Sequence, residues 1–478
     1  MTLSRISTLA EYNAQRQEHW DKVAETQPTE TFFNREYHRR LTEIYQLLVS
    51  PGQTVLEIGC GRGNLLASVA PTNGVGVDIS AEMLAIARKN YPSLTFIQAD
   101  AHTLQLDRQF DVIILSDLVN DVWNVQDVLE QLKPLCKPDT RLILNFYSRV
   151  YQPALGAAGT LGLAKRMMPQ NWLTPEDTEN LLHLAGFEII RRQKEILFTL
   201  PVPLLRDLFN KVLVKLWPFY VFAWTNIIIA RPEPAEVKEK PTVSVVIPAR
   251  NEAGNIEAAF QRVPKMGSHT EIVFVEGHSK DNTREAIELA IRNHPEWDAK
   301  VFAQPGKGKA DAMRVGFEKA CGDILMILDA DLTVRPEDLP RFYEALVSGK
   351  GEFINGVRLV YPMQEQAMRF INLLGNKFFS VAFSWLLGQS IKDTLCGTKV
   401  LYKRHYELIV ANRAYFGEFD PFGDYDLIFG AAKQNLKIVD MPIRYQDRTY
   451  GSTNIDRWRH GALLFRMIAI AALRLKFI

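Results

Sequence analysis

The chain has 478 residues, enough for two or three domains, and its 47% hydrophobic and 23% charged content is ordinary for a soluble globular protein. A formal net charge of +1 gives no case for a nucleic-acid partner. Cys60, Cys136, Cys321 and Cys396 form no C-x-x-C pair, Met1-Thr-Leu-Ser-Arg-Ile-Ser lacks the apolar core of a signal peptide, and no uncharged apolar run reaches the ~18 residues of a membrane span, so neither a zinc site, secretion nor a spanning anchor is expected.

Residues 1 to about 50 read as polar helix with Trp20, Phe32, Phe33, Tyr37 and Tyr45 as apolar anchors, and Pro51-Gly52 breaks that pattern. Thr54-Val-Leu-Glu-Ile-Gly-Cys-Gly-Arg-Gly-Asn-Leu-Leu66 then reads as a strand, a glycine turn and a helix start. Gly59, Gly61 and Gly63 let the backbone approach a ligand, and the helix N-terminus adds a positive dipole end. A second strand, Gly74-Val-Gly-Val-Asp78, ends in an acid placed to bind ribose hydroxyls. A third, Leu94 to Gln98, runs into Asp100, and a fourth, Phe110 to Leu115, into Ser116-Asp117.

With Glu57 just before the glycines, E-x-G-x-G-x-G in this β-α-β order resembles a class I S-adenosylmethionine-dependent methyltransferase over roughly residues 35 to 195. The resemblance implies a cofactor-binding set of Glu57, Gly59, Gly61, Gly63, Asp78, Asp100 and Ser116. Gly59 and Gly61 would line the methionine part, Asp78 would hold the ribose and Asp100 the adenine amino group. Tyr37, His38, Asp117, Asn120 and Tyr147 would face the pocket, with no base constellation legible among them. The alternative is a non-catalytic binding or docking module, because fold does not fix function.

From Leu204 to Leu216, apolar residues at 205, 208, 209, 212, 213 and 216 have helical spacing, with Arg206, Asp207, Asn210 and Lys211 opposite. Leu204 to Trp224 is a candidate membrane-facing stretch, and Ile227 to Ala230 a strand. Residues 231–242, with three prolines and six charges, read as a stiff solvated linker.

Beyond it lie the strands Val243-Ser-Val-Val-Ile-Pro-Ala249 and Glu271 to Glu276, the loop Gly306-Lys-Gly-Lys-Ala310, and a buried run from Ile324 to Leu328 that ends in Asp329-Ala-Asp331. Two acids one residue apart at the carboxyl edge of a sheet can face the same ligand. They suit a hard cation that carries phosphates, Mg²⁺ or Mn²⁺, with Asp329 and Asp331 as its ligands.

These four motifs, in this order, resemble the nucleotide half of a family 2 glycosyltransferase with the GT-A fold. The resemblance implies that Pro248, Ala249, Asn251 and Glu252 cup the base and ribose of a nucleotide sugar (a GDP- or UDP-hexose), that Glu276 stands for the first acid of the second motif, and that Lys307 and Lys309 help to neutralise the diphosphate. Gly277 and His278 depart from the family pattern, which has an acid and a glycine there. Asn355-Gly-Val-Arg358, Asp393-Thr-Leu-Cys-Gly-Thr-Lys399 and Arg448-Thr-Tyr-Gly-Ser452 resemble the dolichol-phosphate mannosyltransferase group and its polyprenyl-phosphate relatives. Thr453 and Thr333 replace that group's usual lysine and glutamine.

The resemblance implies Arg358, Lys399 and Arg448 as clamps on an acceptor phosphate, with Asp329, Asp331, Asp426 and Arg448 as the catalytic set. Asp426 would be a base for a hydroxyl acceptor, or would orient a clamp arginine if the acceptor is a phosphate. Phe370 to Leu387 (with Arg369 and Lys377) and Arg457 to Ile478 are basic, aromatic-flanked helices placed to lie on a membrane surface; the tail would otherwise pack on the domain.

The expected fold class is α/β: a Rossmann-like methyltransferase fold over 1–230, a linker at 231–242, a GT-A fold over 243–454 and an amphipathic tail at 455–478. The expected activity is sugar transfer to a polyprenyl phosphate, fused to S-adenosylmethionine-dependent methylation, in a cytoplasmic chain peripheral on the inner face of the membrane. The alternative acceptor is a glycan hydroxyl.

Overall fold

The computed structural model describes residues 8–26, 32–160, 168–235, 239–358, 370–416, 423–446, 448, 450 and 457–478. Residues 1–7, Arg369 and Thr453 lie outside these, as do the side chains of Phe32, Phe33 and Trp458. The chain divides after Glu233 into two compact units.

The first unit is built on β1 (Thr54–Ile58), β2 (Asn73–Asp78), β3 (Thr95–Gln98), β4 (Phe110–Ser116), β5 (Cys136–Tyr147), β6 (Phe187–Glu195) and β7 (Thr225–Pro232). Their order is β3-β2-β1-β4-β5-β7-β6. The first five strands are parallel, and β7 runs antiparallel between β5 and β6. Helices cover both faces of a parallel sheet, so its strands are apolar almost throughout; Val55, Leu56, Ile58, Val75, Val77, Ile113 and Ile114 are all buried. The chain leaves β1 toward β2, then returns to its other side as β4, which opens a crevice at the carboxyl ends of the strands.

Two expectations shift here. The strand expected to end at Ala230 continues to Pro232, because Glu188 of β6 pairs with Arg231 and grips its guanidinium at 2.7 Å. The first two residues of the expected linker are therefore sheet. The stretch after Pro203 is helical, but its α-helical part ends at Asp207 and a wider turn runs from Leu208 to Val212. One residue of the expected polar side turns inward, and part of the apolar side stays exposed. Asn210 is buried, accepting from the amides of Leu197 and Phe198, while Leu204, Leu205 and Leu208 are exposed.

The second unit contains β8 (Val243–Ala249), β9 (Thr270–Glu276), β10 (Asp298–Ala303), β11 (Ile324–Ile327), β12 (Phe353–Val357), β13 (Lys399–Tyr402) and β14 (Ile438–Pro442). Their order is β10-β9-β8-β11-β13-β12-β14, with β13 antiparallel between β11 and β12. Here too the order reverses, with β9 on one side of β8 and β11 on the other.

The helix Arg457–Ala471 is not a separate tail. Leu464, Met467 and Ala471 are buried in one cluster with Phe379, Phe383, Leu386 and Leu387 of the helix Phe370–Leu387. Fully burying a leucine or methionine side chain contributes about 1.5–3 kcal/mol, so detaching this helix would cost several kcal/mol. Among the described residues, no helix is long and apolar enough to cross a membrane.

Candidate active sites

In the first unit Asp78 closes β2, Asp100 follows β3 and Asp117 follows β4. With Glu57, Gly59, Gly61 and Ser116 they line one cavity of about 580 Å³, a size suited to a cofactor. Gly59 and Gly61 both have positive φ, at 76° and 48°. Asp78 ties their turn to β2: its Oδ2 accepts from the Gly61 amide at 2.8 Å and its Oδ1 from the Ser80 amide at 2.9 Å. A Cβ on Gly61 would meet nothing within 4 Å, so the turn leaves open space for a ligand. Gly63 does not line the cavity; a Cβ there would lie 2.8 Å from the Phe96 ring, so close packing is its requirement.

Asp100 accepts from Asn13 Nδ2 at 2.6 Å and from His102 Nδ1 at 2.7 Å. His102 Nε2 accepts from the Asn124 amide, which fixes the ring proton on Nδ1. Burial raises the Asp78 carboxyl and pushes Glu57 up to about 8, and Glu57 Oε2 has no hydrogen-bond partner.

Deeper in the wall, Asp117 Oδ1 accepts from Tyr37 Oη at 2.9 Å and from Asn145 Nδ2 at 2.6 Å. Tyr37 and Tyr147 pack with their ring centroids 5.9 Å apart. Of the expected pocket residues, His38, Asp117 and Tyr147 line the cavity, whereas Tyr37 lies behind Asp117 and does not. Asn120 instead braces the wall, bonding the Asn171 carbonyl and the Tyr147 amide.

In the second unit, Ala249 at the end of β8 pairs in register with Glu276 at the end of β9, and Pro248 with Val275. Asn251, at φ 58°, accepts from the Lys280 amide through Oδ1. Glu252 Oε2 accepts from Asn255 Nδ2 at 2.7 Å. Burial alone would raise Glu276, but the Ser279 amide, 2.6 Å from its Oε1, holds it below the usual range. A Cβ on Gly277 would lie 3.0 Å from Gln304 Oε1, so an amide crowds the place where the family pattern has an acid. Lys307 is exposed.

Four of the five candidate cations each face an acid. Lys309 Nζ is 2.6 Å from Asp329 Oδ1. Arg358 grips Asp393 through Nε at 2.7 Å and Nη2 at 2.9 Å. Fully buried Lys399 lies 3.7 Å from Asp424 and donates to the Cys396 carbonyl. Arg448 reaches Glu252 at 3.3 Å and Asp331 at 2.5 Å, which brings the first and last motifs together. Asp331 Oδ1 also accepts from the Thr333 amide and hydroxyl. The Asp393–Gly397 segment lies hard against the paired acids, since a Cβ on Gly397 would fall 1.9 Å from Asp329 Oδ2. Asp426 is engaged by Arg413 at 2.9 Å and Arg314 at 3.7 Å.

Two family models match in the places this geometry marks: Methyltransferase domain over residues 55–139, and Glycosyl transferase family 2 over residues 244–415. The chain carries a methyltransferase domain followed by a family 2 glycosyltransferase domain. The glycosyltransferase domain is similar to a dolichol-phosphate mannosyltransferase of Pyrococcus furiosus, 30% identical over 45% of this chain and 59% of that protein. It is also similar to an undecaprenyl-phosphate 4-deoxy-4-formamido-L-arabinose transferase of Pseudomonas aeruginosa, 33% identical over 47% of this chain and 64% of that protein. The matches thus span less than two thirds of either relative. Among solved structures, a Mesorhizobium loti S-adenosylmethionine-dependent methyltransferase is 20% identical, with a TM-score of 0.31 over 39% of this chain and 94% of that one.

The methyltransferase cavity fits its cofactor chemically: open space over Gly61, acids at three strand ends, and an unpartnered buried oxygen on Glu57. The glycosyltransferase domain has the donor set for a hard divalent cation in Asp329 and Asp331, whose charges Lys309 and Arg448 now balance. Sequence reasoning missed Asn13, His102, Gln304 and Arg413. Their partners lie 87, 2, 4 and 13 residues away, and no motif spacing marks them.

Proposed function

We propose that the glycosyltransferase domain moves a sugar from a nucleotide sugar, a GDP- or UDP-hexose, to the phosphate of a polyprenyl lipid, in a chain peripheral on the inner face of the membrane. One observation carries this reading: Lys309, Arg358, Lys399 and Arg448 stand around the Asp329–Asp331 pair with acids that fix each in place. A lipid phosphate is ionised at neutral pH and needs cationic clamps more than a base. Asp426 supports the same choice, because it is committed to Arg413 and Arg314 and not free to accept a hydroxyl proton.

Mg²⁺ or Mn²⁺ held by Asp329 and Asp331 would neutralise the leaving diphosphate. Lys309 and Lys307 would add to that neutralisation. The lipid phosphate oxygen would attack the anomeric carbon as the bond to the diphosphate breaks.

The test is organic-solvent partition of labelled product from GDP- and UDP-hexoses with polyprenyl phosphate. Lipid-linked label is expected, lost with chelator and with Asp331→Ala. Label that stays in water with a glycan acceptor would replace this reading with the hydroxyl alternative. The methyltransferase domain would bind S-adenosylmethionine through Gly59, Gly61, Asp78 and Asp100. Calorimetry on the full chain should show that binding, and no heat would reject it.

A further inference from the structure

Among the carboxylates lining the cavity of the methyltransferase domain, Asp117 is one that the proposed cofactor contacts leave unused. Asp117 follows β4 directly and takes φ 55°, a left-handed conformation that costs an ordinary residue roughly 1–2 kcal/mol. A residue held there departs from the line of its strand, and its side chain joins the cavity wall.

A fixed shell orients it. Its amide donates to the Asn145 carbonyl at 3.1 Å, and Asn145 Nδ2 returns to Asp117 Oδ1. Tyr45 Oη donates to Asn145 Oδ1 at 2.8 Å, and Tyr37 Oη lies 3.0 Å from Thr225 Oγ1. Oδ2 receives only the longer, 3.2 Å arm of the Tyr37 hydroxyl, so it keeps spare acceptor capacity.

Among the described residues no lysine, arginine or histidine forms an ion pair with Asp117. The titratable groups around it are Tyr37 and Tyr45 of the helix Phe32–Leu48 and Tyr147 of β5, and Glu57, Asp121 and His38 line the same cavity. Only Asp121 has a cation, Arg16. Burial pushes the Asp117 carboxyl up to about 7, against the lowering effect of Tyr37 and Asn145. A carboxylate in that range is matched to proton transfer near neutral pH.

We propose that Asp117 is the proton acceptor of the methyl transfer, and that the methyl acceptor is a small molecule or head group bearing a hydroxyl. This rests on the reading of the domain as an S-adenosylmethionine-dependent enzyme. As the hydroxyl oxygen bonds to the methyl carbon, the carbon–sulfur bond breaks and leaves its electron pair on sulfur. The sulfonium becomes a neutral thioether, and the hydroxyl proton passes to Asp117 Oδ2. Tyr37 and Asn145 hold the carboxylate in place and stay protonated throughout.

The experiment uses the full chain, the variants Asp117→Asn and Asp117→Glu, and three readouts. Asparagine tolerates left-handed backbone, so Asp117→Asn keeps the fold. In infrared difference spectra of wild type minus Asp117→Asn, a protonated carboxyl band should titrate near neutral pH. S-adenosylmethionine should bind wild type and Asp117→Asn within about twofold by calorimetry. With tritiated cofactor and a panel of phenols and primary alcohols, the wild-type rate should rise about tenfold per pH unit below neutrality and level off above it. Asp117→Asn should lose about a hundredfold or more and the pH break with it, and Asp117→Glu should regain part of both.

Label on amines alone, or on no probe while the cofactor binds, overturns the hydroxyl assignment. A pH break that persists in Asp117→Asn overturns the role of Asp117. No cofactor binding by any form rejects the methyltransferase reading instead.

Discussion

Lys309 Nζ stands 2.6 Å from Asp329 Oδ1, at the first turn of the helix Lys309–Lys319 that follows the glycine loop. Burial would raise Asp329, yet Lys309 holds it below the usual carboxylate range; burial would lower Lys309, yet Asp329 and Asp424 hold it above its own. Removing Lys309 leaves the partly buried Asp329 carboxylate with only Lys399 and Arg358 to balance it, a loss of about 1–3 kcal/mol. Lys309→Met should lower the melting temperature of the glycosyltransferase domain, and adding Asp329→Asn should restore most of it. The stability from Asp329 is present above the ordinary carboxylate range and lost as pH falls through its lowered native value. The deficit of Lys309→Met should therefore be large at neutral pH and shrink in acid. Equal melting of the single and double variants at pH 7 would show that the pair contributes nothing.

Glu57 gives the opposite pH signature. Its native value of about 8 lies above the unfolded one, so the folded chain binds the extra proton between roughly pH 4.5 and 8. Its contribution to stability therefore falls as pH rises through that window. Glu57→Gln should melt close to wild type near pH 5 and higher near pH 8.5, by up to a few kcal/mol of stability. A pH-independent difference between the two would exclude the buried Glu57 carboxyl as the cause.

Gly61 and Gly63 both have positive φ, yet their substitutions should fail differently. Gly63→Ala drives a methyl into the Phe96 ring and should destabilise the domain by about 2 kcal/mol or more. Gly61→Ala meets open space, so its cost is backbone strain alone, about 1–2 kcal/mol. Its larger effect should be on S-adenosylmethionine affinity, through the filled cradle. Melting and calorimetry on both variants check this. Equal cofactor affinities in the folded variants would reject it.

Phe378, Val381 and Trp385 project from one exposed face of the helix Phe370–Leu387, and Leu473 is exposed on the C-terminal helix. Lys377, Arg466 and Arg474 are exposed on the same two helices. Such a face should bind anionic vesicles, gaining about 1 kcal/mol per well-placed basic residue. Salt screens that part of the attraction over about 8–10 Å. Phe378→Ser with Val381→Ser and Leu473→Ser should reduce flotation with phosphatidylserine vesicles while leaving the melting temperature unchanged. Deleting residues 457–478 would open the core instead, because Met467 and Ala471 belong to it. Undiminished flotation of the triple variant would rule this face out as the docking surface.

Strands, glycine turns and strand-end acids were legible because each depends on residues close in sequence. A buried run from Ile324 to Leu328 ending in Asp329 announces itself, as does the turn after β1. Much of what escaped depends on distance or pitch. Asn13 meets Asp100 only in three dimensions, and Arg448 reaches Glu252 across 196 residues. Asn210 is buried because the turn from Leu208 to Val212 widens, and no hydrophobic periodicity of 3.6 registers that change. The C-terminal helix could be read as lying on a membrane or as packed on the domain, and the cluster around Met467 shows one side of it packed on the domain.

That cluster also bears on how the chain acquires its shape. Met467 shares it with Val246 of β8, so the glycosyltransferase core is closed by residues from opposite ends of its own sequence. The methyltransferase sheet is complete once β7 has been made, before any of β8 exists. Domains generally fold as units during synthesis, N-terminal first. The first half can thus be native while the second waits, its strands synthesised and its hydrophobic centre still open until residues 457–471 arrive. A long-range closure of this kind is slow and exposes apolar surface meanwhile. Chaperone dependence should therefore concentrate in the C-terminal half.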